Sequence, residues 1–254
     1  MSGSHNNSIA EPGPSLDAPE PSFDVPGLTA DEIQARVLHR DGLMLVIDKP
    51  AGLPVHRGPK GGANLEASFD GLRFGLPRPP VLAHRLDKDT SGCLVLGRHR
   101  KATASLGLLF KHGKIGKTYW AVVEGGPAED EGTIDMPLGR LNAERGWWQK
   151  PDADGQKAVT NWKVRGRSDG LCWLALEPVT GRTHQLRVHT SATGWPIVGD
   201  NIYGNGPRFG EPILHLHSRE IVIPISRNKE PVRVVAPAPE HMRERLRKCG
   251  WNGE

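Results

Sequence analysis

Two cations and two carboxylates crowd one short stretch, His84-Arg-Leu-Asp-Lys-Asp-Thr-Ser-Gly. Arg85 and Lys88 stand beside Asp87 and Asp89, followed by the hydroxyls of Thr90 and Ser91, and an apolar run starts at Cys93. A polar loop feeding an apolar strand is where a scaffold displays functional side chains, and carboxylates there suit acid, base or nucleophilic work. A solvated turn closed by an Asx motif at Asp89 fits the same composition. A second segment, Pro178-Val-Thr-Gly-Arg-Thr-His-Gln-Leu-Arg-Val-His, predicts a helix over 183–193 entered from the turn at Val179-Thr-Gly. That spacing places His184, Arg187, Val188 and Ser191 on one face and Leu186 and His189 on the other. An arginine on an inward-looking face needs an acidic partner or a phosphate, and Asp87 is an available partner. An amphipathic helix with a snorkelling arginine is the plainer alternative. The third segment, Lys111-His-Gly-Lys-Ile-Gly-Lys-Thr-Tyr-Trp, interleaves cations with aromatics, which suits a nucleic-acid strand but equally an ordinary core tyrosine on a strand.

These segments need elements to hold them. Leu43–Asp48 reads as a buried strand stopped by Pro50 and Gly52, Cys93–Gly97 as a second apolar run, and Thr118–Val123 as a third strand rich in β-branched and aromatic residues. Residues 162–165 and 171–177 form a hairpin around Arg167-Ser-Asp-Gly, and Arg219–Ile225 reads as an edge-like strand. Helices are expected from Thr29 to about Val37, from Lys101 to Lys111 and from Pro239 to Lys248, where Arg243, Arg245, Arg247 and Lys248 give a basic, solvated face. Strands outnumber helices without regular alternation, which favours α+β with a mostly antiparallel or mixed sheet over a doubly wound fold. Pro12, Pro14, Pro19, Pro21 and Pro26, set among polar and acidic residues, mark residues 1–27 as a disordered acidic tail, leaving 28–254 as a single folded domain.

The 254 residues, 37% hydrophobic and 24% charged, suffice for a sizeable core. No apolar run approaches a membrane span, and the first ten residues lack the pattern of a secretory signal, so a cytoplasmic protein is expected. Cys93, Cys172 and Cys249 are few and scattered, so free thiols are expected and neither a disulfide scaffold nor a cysteine zinc site. Residues 1–35 carry six acids and no Lys or Arg, so the remainder sets 33 basic residues against 23 acids, a net +10. A body that basic attracts polyanions, nucleic acid first among them. P-loop, dinucleotide and serine-hydrolase signatures are absent, and none of the eleven histidines has the helical zinc spacing. No metal and no nucleotide cofactor are therefore expected.

Taken together the segments resemble the RluA family of RNA pseudouridine synthases. The similarity runs in order through Val46-Ile-Asp-Lys-Pro-Ala-Gly-Leu-Pro-Val-His, His84-Arg-Leu-Asp-Lys-Asp-Thr-Ser-Gly, Lys117-Thr-Tyr, the Pro178–His189 segment, Gly194-Trp-Pro-Ile-Val-Gly-Asp-Asn-Ile-Tyr-Gly and Leu214-His-Leu-His. His-Arg-Leu-Asp and Gly-Arg-Thr-His-Gln-Leu-Arg are its most specific parts. The resemblance implies a pseudouridine-synthase fold, a long mixed sheet with a central cleft and flanking helices. It implies that Asp87 is the catalytic carboxylate, Arg187 its cleft arginine and Tyr119 the active-site tyrosine, with Arg85 filling the space left by an extruded base. His84, Thr90, Lys117, Arg182, Thr183, His184 and Gln185 are then RNA-binding candidates, and Leu214 or Leu216 the apolar wall beneath the uracil. The implied substrate is ribosomal RNA, transfer RNA or both, acted on by a monomer without a cofactor. Some relatives carry an additional N-terminal RNA-binding domain, whereas the roughly 40 residues before the first motif point to the compact branch. Ser218 stands where a small apolar residue is expected. A non-catalytic RNA-binding module on the same scaffold is the alternative, and a glycosidase pairing Asp87 with Asp89 ranks last, because residues two apart rarely flank a scissile bond.

Overall fold

The structure, a computed structural model, describes residues 27–58, 61–142, 147–226 and 228–253. The tail expected over 1–27 lies, but for Gly27, outside the described residues. In chain order the elements are α1 (Ala30–Gln34), β1 (Val37–Arg40), β2 (Met44–Lys49), a 3-10 stretch (Leu65–Leu72), β3 (Val81–Leu82), β4 (Ser91–Gly97), α2 (Arg100–Lys111) and β5 (Gly116–Glu124). There follow β6 (Glu131–Asp135), β7 (Leu138–Arg140), β8 (Gln149–Pro151), β9 (Val159–Ser168), β10 (Leu171–Pro178), α3 (Gln185–Ala192), β11 (Leu216–Ile223), β12 (Val232–Val235) and α4 (Glu240–Lys248). One ten-stranded sheet runs β1-β2-β4-β11-β5-β10-β9-β6, with β12 on β11 and β3 on β4, while β7 and β8 form a separate ribbon. Among the described residues no helix is long and apolar enough to cross a membrane.

Strand alternation sorts the core into two layers, since successive side chains take opposite faces. On one face, Leu45, Ile47, Leu94 and Leu96 pack under the 3-10 stretch, and farther along the sheet Ala121, Val123, Leu174 and Leu176 pack against Leu186 of α3. Tyr119 touches both of these half-cores and sits at their seam. The alternate residues of the same strands face the other way: Met44, Val46, Cys93 and Val95 pack with Leu106 of α2, and Trp120, Val122 and Trp173 with Met242 and Leu246 of α4. The basic residues of α4 therefore lie behind the sheet, away from Tyr119. All three cysteines are buried free thiols.

The seam is the joint between β4 and β11, which pair in parallel over only two residue pairs, His217↔Ser91 and Ser218↔Gly92. The other strand pairs of the sheet are antiparallel. Close approach here requires glycine: a Cβ on Gly92, whose φ is +101°, would lie 2.3 Å from the Ser218 carbonyl oxygen. With so short a ladder the segments preceding the two strands diverge, and the polar loops before β4 and α3 face one another across the gap.

Three sequence expectations shift. The first helix, closed by a capping box between Thr29 and Glu32, ends at Gln34, because Val37 and the residues after it pair with β2 as β1. The strand expected as edge-like over Arg219–Ile225 is Leu216–Ile223 and lies inside the sheet between β4 and β5. Its polar residues misled: the Arg219 guanidinium covers the Trp120 ring at 4.1 Å and donates to the Ala236 carbonyl, while Glu220 pairs with Arg233 of β12. The third is the helix expected over 183–193, which begins at Gln185 after His184 turns the chain in the left-handed region at φ 52°, ψ 17°. The hairpin, α2, α4 and the strands expected over 43–48, 93–97 and 118–123 lie where expected within a few residues, whereas β3, β6, β7, β8 and β12 were not expected from the sequence.

Candidate active site

Asp87 projects from the loop before β4, its side chain 23% exposed. That loop is held from below. Lys49, at the end of β2 and fully buried, donates to the carbonyl oxygens of Pro50 (2.8 Å), Lys88 (2.8 Å) and Thr90 (2.9 Å). Burial lowers the Lys49 pKa to about 7 against the upward pull of Asp89, Asp87 and Asp48. The Asp87 carbonyl closes the turn by accepting from the Thr90 amide at 3.2 Å.

Across the gap, α3 carries Arg187, whose side chain is 4% exposed. Its hydrogen-bonded partner is Asp200, not Asp87 as the sequence suggested: Nε donates to Oδ2 at 2.8 Å and Nη2 to Oδ1 at 2.7 Å. The remaining nitrogen, Nη1, stands 3.9 Å from Asp87 Oδ2, an ion pair beyond hydrogen-bond length. Asp200 Oδ1 also accepts from the amides of Ile202 (2.9 Å) and Tyr203 (3.0 Å). Burial would raise the Asp200 carboxyl, but the Arg187 guanidinium and these amides hold it below its ordinary value. The same bonds keep Arg187 above its ordinary value despite burial. A fully ionised, bidentate pair thus fixes the guanidinium edge that faces Asp87. The snorkelling alternative fails, since six of the eight α3 residues are buried.

His184 reaches Asp87 from the turn before α3, with Nε2 3.7 Å from Oδ2. Gln185 anchors that turn: its Oε1 accepts from Thr180 Oγ1 (2.7 Å) and the Arg182 amide (3.0 Å), and its Nε2 donates to the Val159 carbonyl and Thr160 Oγ1. Its polar atoms are committed to the protein, so its part is to shape the turn rather than to meet RNA.

These loops enclose a cleft of ≈ 380 Å³ lined by Asp87, Arg187, Tyr119 and Leu216, with His84, Arg85, Thr90, Lys117, Arg182, Thr183, His184 and Gln185 around them. The structure therefore gathers every expected site residue except Leu214, which is buried in the core beside α3 and does not line the cleft. Of the two leucines only Leu216 lines the cleft. Asp89 is also missing from the lining; its charge faces Lys49, which removes the partner that a glycosidase pair would need.

The electrostatics divide the lining. Arg85 and Arg182 are exposed cations, Arg182 steadied by donating to the Lys157 carbonyl at 3.0 Å. Burial lowers the Lys117 pKa. His84 is no cation: burial, assisted by Lys117, pushes it down to about 3, its Nε2 accepts from the Val95 amide at 3.0 Å, and its ring stacks on Phe110. Burial pushes the Tyr119 phenol up to about 12, against the lowering effect of a hydrogen bond with Ser218, its neighbour across β5 and β11. Ser218, unexpected from sequence, thus has a polar partner and also donates to the Cys93 carbonyl.

Asp200, Tyr203 and Lys49 fall within segments that the sequence singles out, but no role for them was read there. For Lys49 the available signal was a charge inside a buried strand, which demands acceptors. For Asp200 it was an acid opening an Asx turn just after an inward-facing arginine.

The chain matches the family described as RNA pseudouridylate synthase over residues 43–192. It is 43% identical, over 81% of its length and 94% of the relative's, to a protein described as an uncharacterized RNA pseudouridine synthase of Zymomonas mobilis. A Bacillus subtilis relative described in the same words, YjbO, is 34% identical over 85% of this chain and 76% of its own. Among solved structures, human RNA pseudouridylate synthase domain containing 4 superposes with a TM-score of 0.72 at 28% identity, covering 86% of this chain and 95% of that one.

Proposed function

Since the chain belongs to the RNA pseudouridylate synthase family and is accordingly an isomerase acting on RNA, we propose that Asp87 is its catalytic carboxylate and that its substrates are uridines of ribosomal RNA, transfer RNA or both. The observation that carries the assignment is the meeting of Asp87, Arg187 and Tyr119 in one cleft.

The reaction detaches uracil from the sugar at N1, turns it, and rejoins it through C5, so that C5 loses a proton and N1 gains one. The anomeric carbon is hidden in a stacked strand, so the nucleotide must swing out into a pocket. The cleft has the right partition for this: Leu216 and the Tyr119 ring offer apolar walls for the base, while Asp87 meets the sugar. Arg187, buried and locked by Asp200, presents positive charge to the carboxylate. The carboxylate then either attacks the anomeric carbon or withdraws the proton of the neighbouring sugar carbon; both use the same oxygen pair. Tyr119 serves through its ring face, because a phenol titrating near 12 stays protonated at neutral pH and is a poor acceptor for the C5 proton. Arg85, at the rim, fits the space left by the extruded base, and Lys117 and Arg182 suit flanking phosphates.

Mapping pseudouridines in total RNA from cells with and without the gene tests the substrate. Sites in ribosomal or transfer RNA that vanish with the gene and return with the wild-type gene but not with Asp87→Asn support the proposal. An unchanged map, or one restored by Asp87→Asn, refutes it.

A further inference from the structure

The His184 ring is held more tightly than RNA binding requires. Its side chain is 7% exposed, and its ring meets Tyr203 edge-on at 5.5 Å and Trp147 edge-on at 5.3 Å. Its Nδ1 lies 2.8 Å from the Tyr203 hydroxyl, and that hydroxyl accepts from the Gln149 backbone amide at 2.9 Å. A backbone N–H only donates, so the phenol spends a lone pair on Gln149 and its single proton is free for Nδ1. The phenol oxygen keeps a second lone pair, so this geometry admits either direction; when the phenol proton goes to Nδ1, the neutral imidazole carries its own proton on Nε2, the nitrogen that faces Asp87 Oδ2 at 3.7 Å.

Building on the assignment of Asp87 above, we infer that His184 is a positioning residue whose tautomer is set by the Tyr203–Gln149 relay, so that its Nε2–H and the Arg187 guanidinium together hold Asp87 Oδ2 and leave Oδ1 as the oxygen that meets the sugar. Both donors address Oδ2, Arg187 Nη1 at 3.9 Å and His184 Nε2 at 3.7 Å. Among the described residues no ion pair or hydrogen bond engages Oδ1. Both distances exceed hydrogen-bond length, as is common for catalytic contacts in a site without its substrate. The left-handed backbone at residue 184 supports a functional reason for the geometry, since a non-glycine residue is held there by its surroundings. Burial lowers the His184 pKa, opposed by Asp87 and Asp200 and assisted by Arg187 and Arg85, which favours the neutral ring.

The test has two arms on the full chain. In the first, the protein is labelled with ¹⁵N-histidine and the His184 signals are assigned by their loss in His184→Gln. At pH 7.5 the wild type is expected to show a protonated Nε2 and a bare Nδ1, and Tyr203→Phe to release the ring into a tautomer mixture. A wild-type ring protonated on Nδ1 overturns the inference. The second arm follows tritium release from total cellular RNA labelled with [5-³H]uridine. His184→Phe keeps the ring packing but loses the donor, and kcat is expected to fall ~10–100-fold with KM changed less than ~3-fold. His184→Gln can donate from a similar place and is expected within ~5-fold of wild type; unfolding midpoints of the two variants, measured alongside, separate loss of the donor from backbone strain at this left-handed position. Equal losses in the two, or a wild-type kcat in His184→Phe, overturn the inference. Asp87→Asn run alongside separates the readings: if it turns over normally, the Asp87 assignment fails, whereas a dead Asp87→Asn with a fully active His184→Phe sinks only the role given to His184.

Discussion

Asp200 never meets the cleft, yet its replacement should be among the most damaging in the chain. Its two oxygens serve four donors: Arg187 Nε on Oδ2, and Arg187 Nη2 with the Ile202 and Tyr203 amides on Oδ1. Asp200→Asn leaves one oxygen. Oriented to keep the three bonds at Oδ1, the new amide turns an NH2 toward Arg187 Nε, donor against donor; turned round, it loses those three bonds. Either way a guanidinium that is 4% exposed loses its neutralising charge, against a partner 1% exposed. Breaking one side of a buried pair costs about 3–5 kcal/mol, a large part of the roughly 5–15 kcal/mol that holds a domain together. Urea unfolding should show that loss as a lower midpoint at unchanged slope. Turnover should fall as well, because the freed guanidinium no longer presents Nη1 to Asp87. The double replacement Arg187→Met with Asp200→Leu removes both charges at once, so it should be more stable than Asp200→Leu alone while staying inactive, although the Ile202 and Tyr203 amides still lose their acceptor. An Asp200→Asn protein within ~0.5 kcal/mol of wild type, or a double variant that turns over, would refute the idea that this pair both secures the fold and aims the arginine.

Three further outcomes are expected. Lys49→Met strips the donor from three carbonyl acceptors beneath the Asp87 loop, that of Thr90 buried, so unfolding free energy should drop by about 3 kcal/mol with a parallel fall in kcat, and an unaltered kcat would show that the loop keeps its shape without the ammonium. Acidification should destabilise the fold between pH 6.5 and 4: burial holds His84 and His217 near 3 and His215 near 4, so the unfolded chain takes up protons that the folded chain refuses, and stability present above 6.5 is lost as pH falls. Flat stability from pH 7 to 5 in denaturant titrations contradicts this. Lastly, RNA affinity should weaken linearly in log–log plots against salt, with Arg182→Ala reducing the slope by ~0.7, and an unchanged slope would remove Arg182 from the phosphate path.

The chemistry-bearing residues were legible because they cluster in sequence. Asp87 sits among charges, and Arg187 stands three residues from His184 at a spacing that puts the two on one helical face. Strand order was not legible, and neither was the short parallel joint between β4 and β11, which depends on contacts 126 residues apart such as Ser91 with His217. Arg219 shows why polarity misleads on a buried strand: an aromatic face and a carbonyl satisfy it as water would. The Asp200 pairing was missed because Asp87 already offered Arg187 a carboxylate, and spacing alone does not rank two acceptors. Leu214 and Leu216 are indistinguishable by type; the start of β11 places only Leu216 at the cleft.

The most direct test replaces the Asp87 carboxylate by the isosteric amide and compares tritium release from [5-³H]uridine RNA with binding of that same RNA. Turnover should fall by ~10³-fold or more while the dissociation constant moves less than ~3-fold. An Asp87→Asn protein that releases tritium within tenfold of the wild-type rate contradicts the account at its centre.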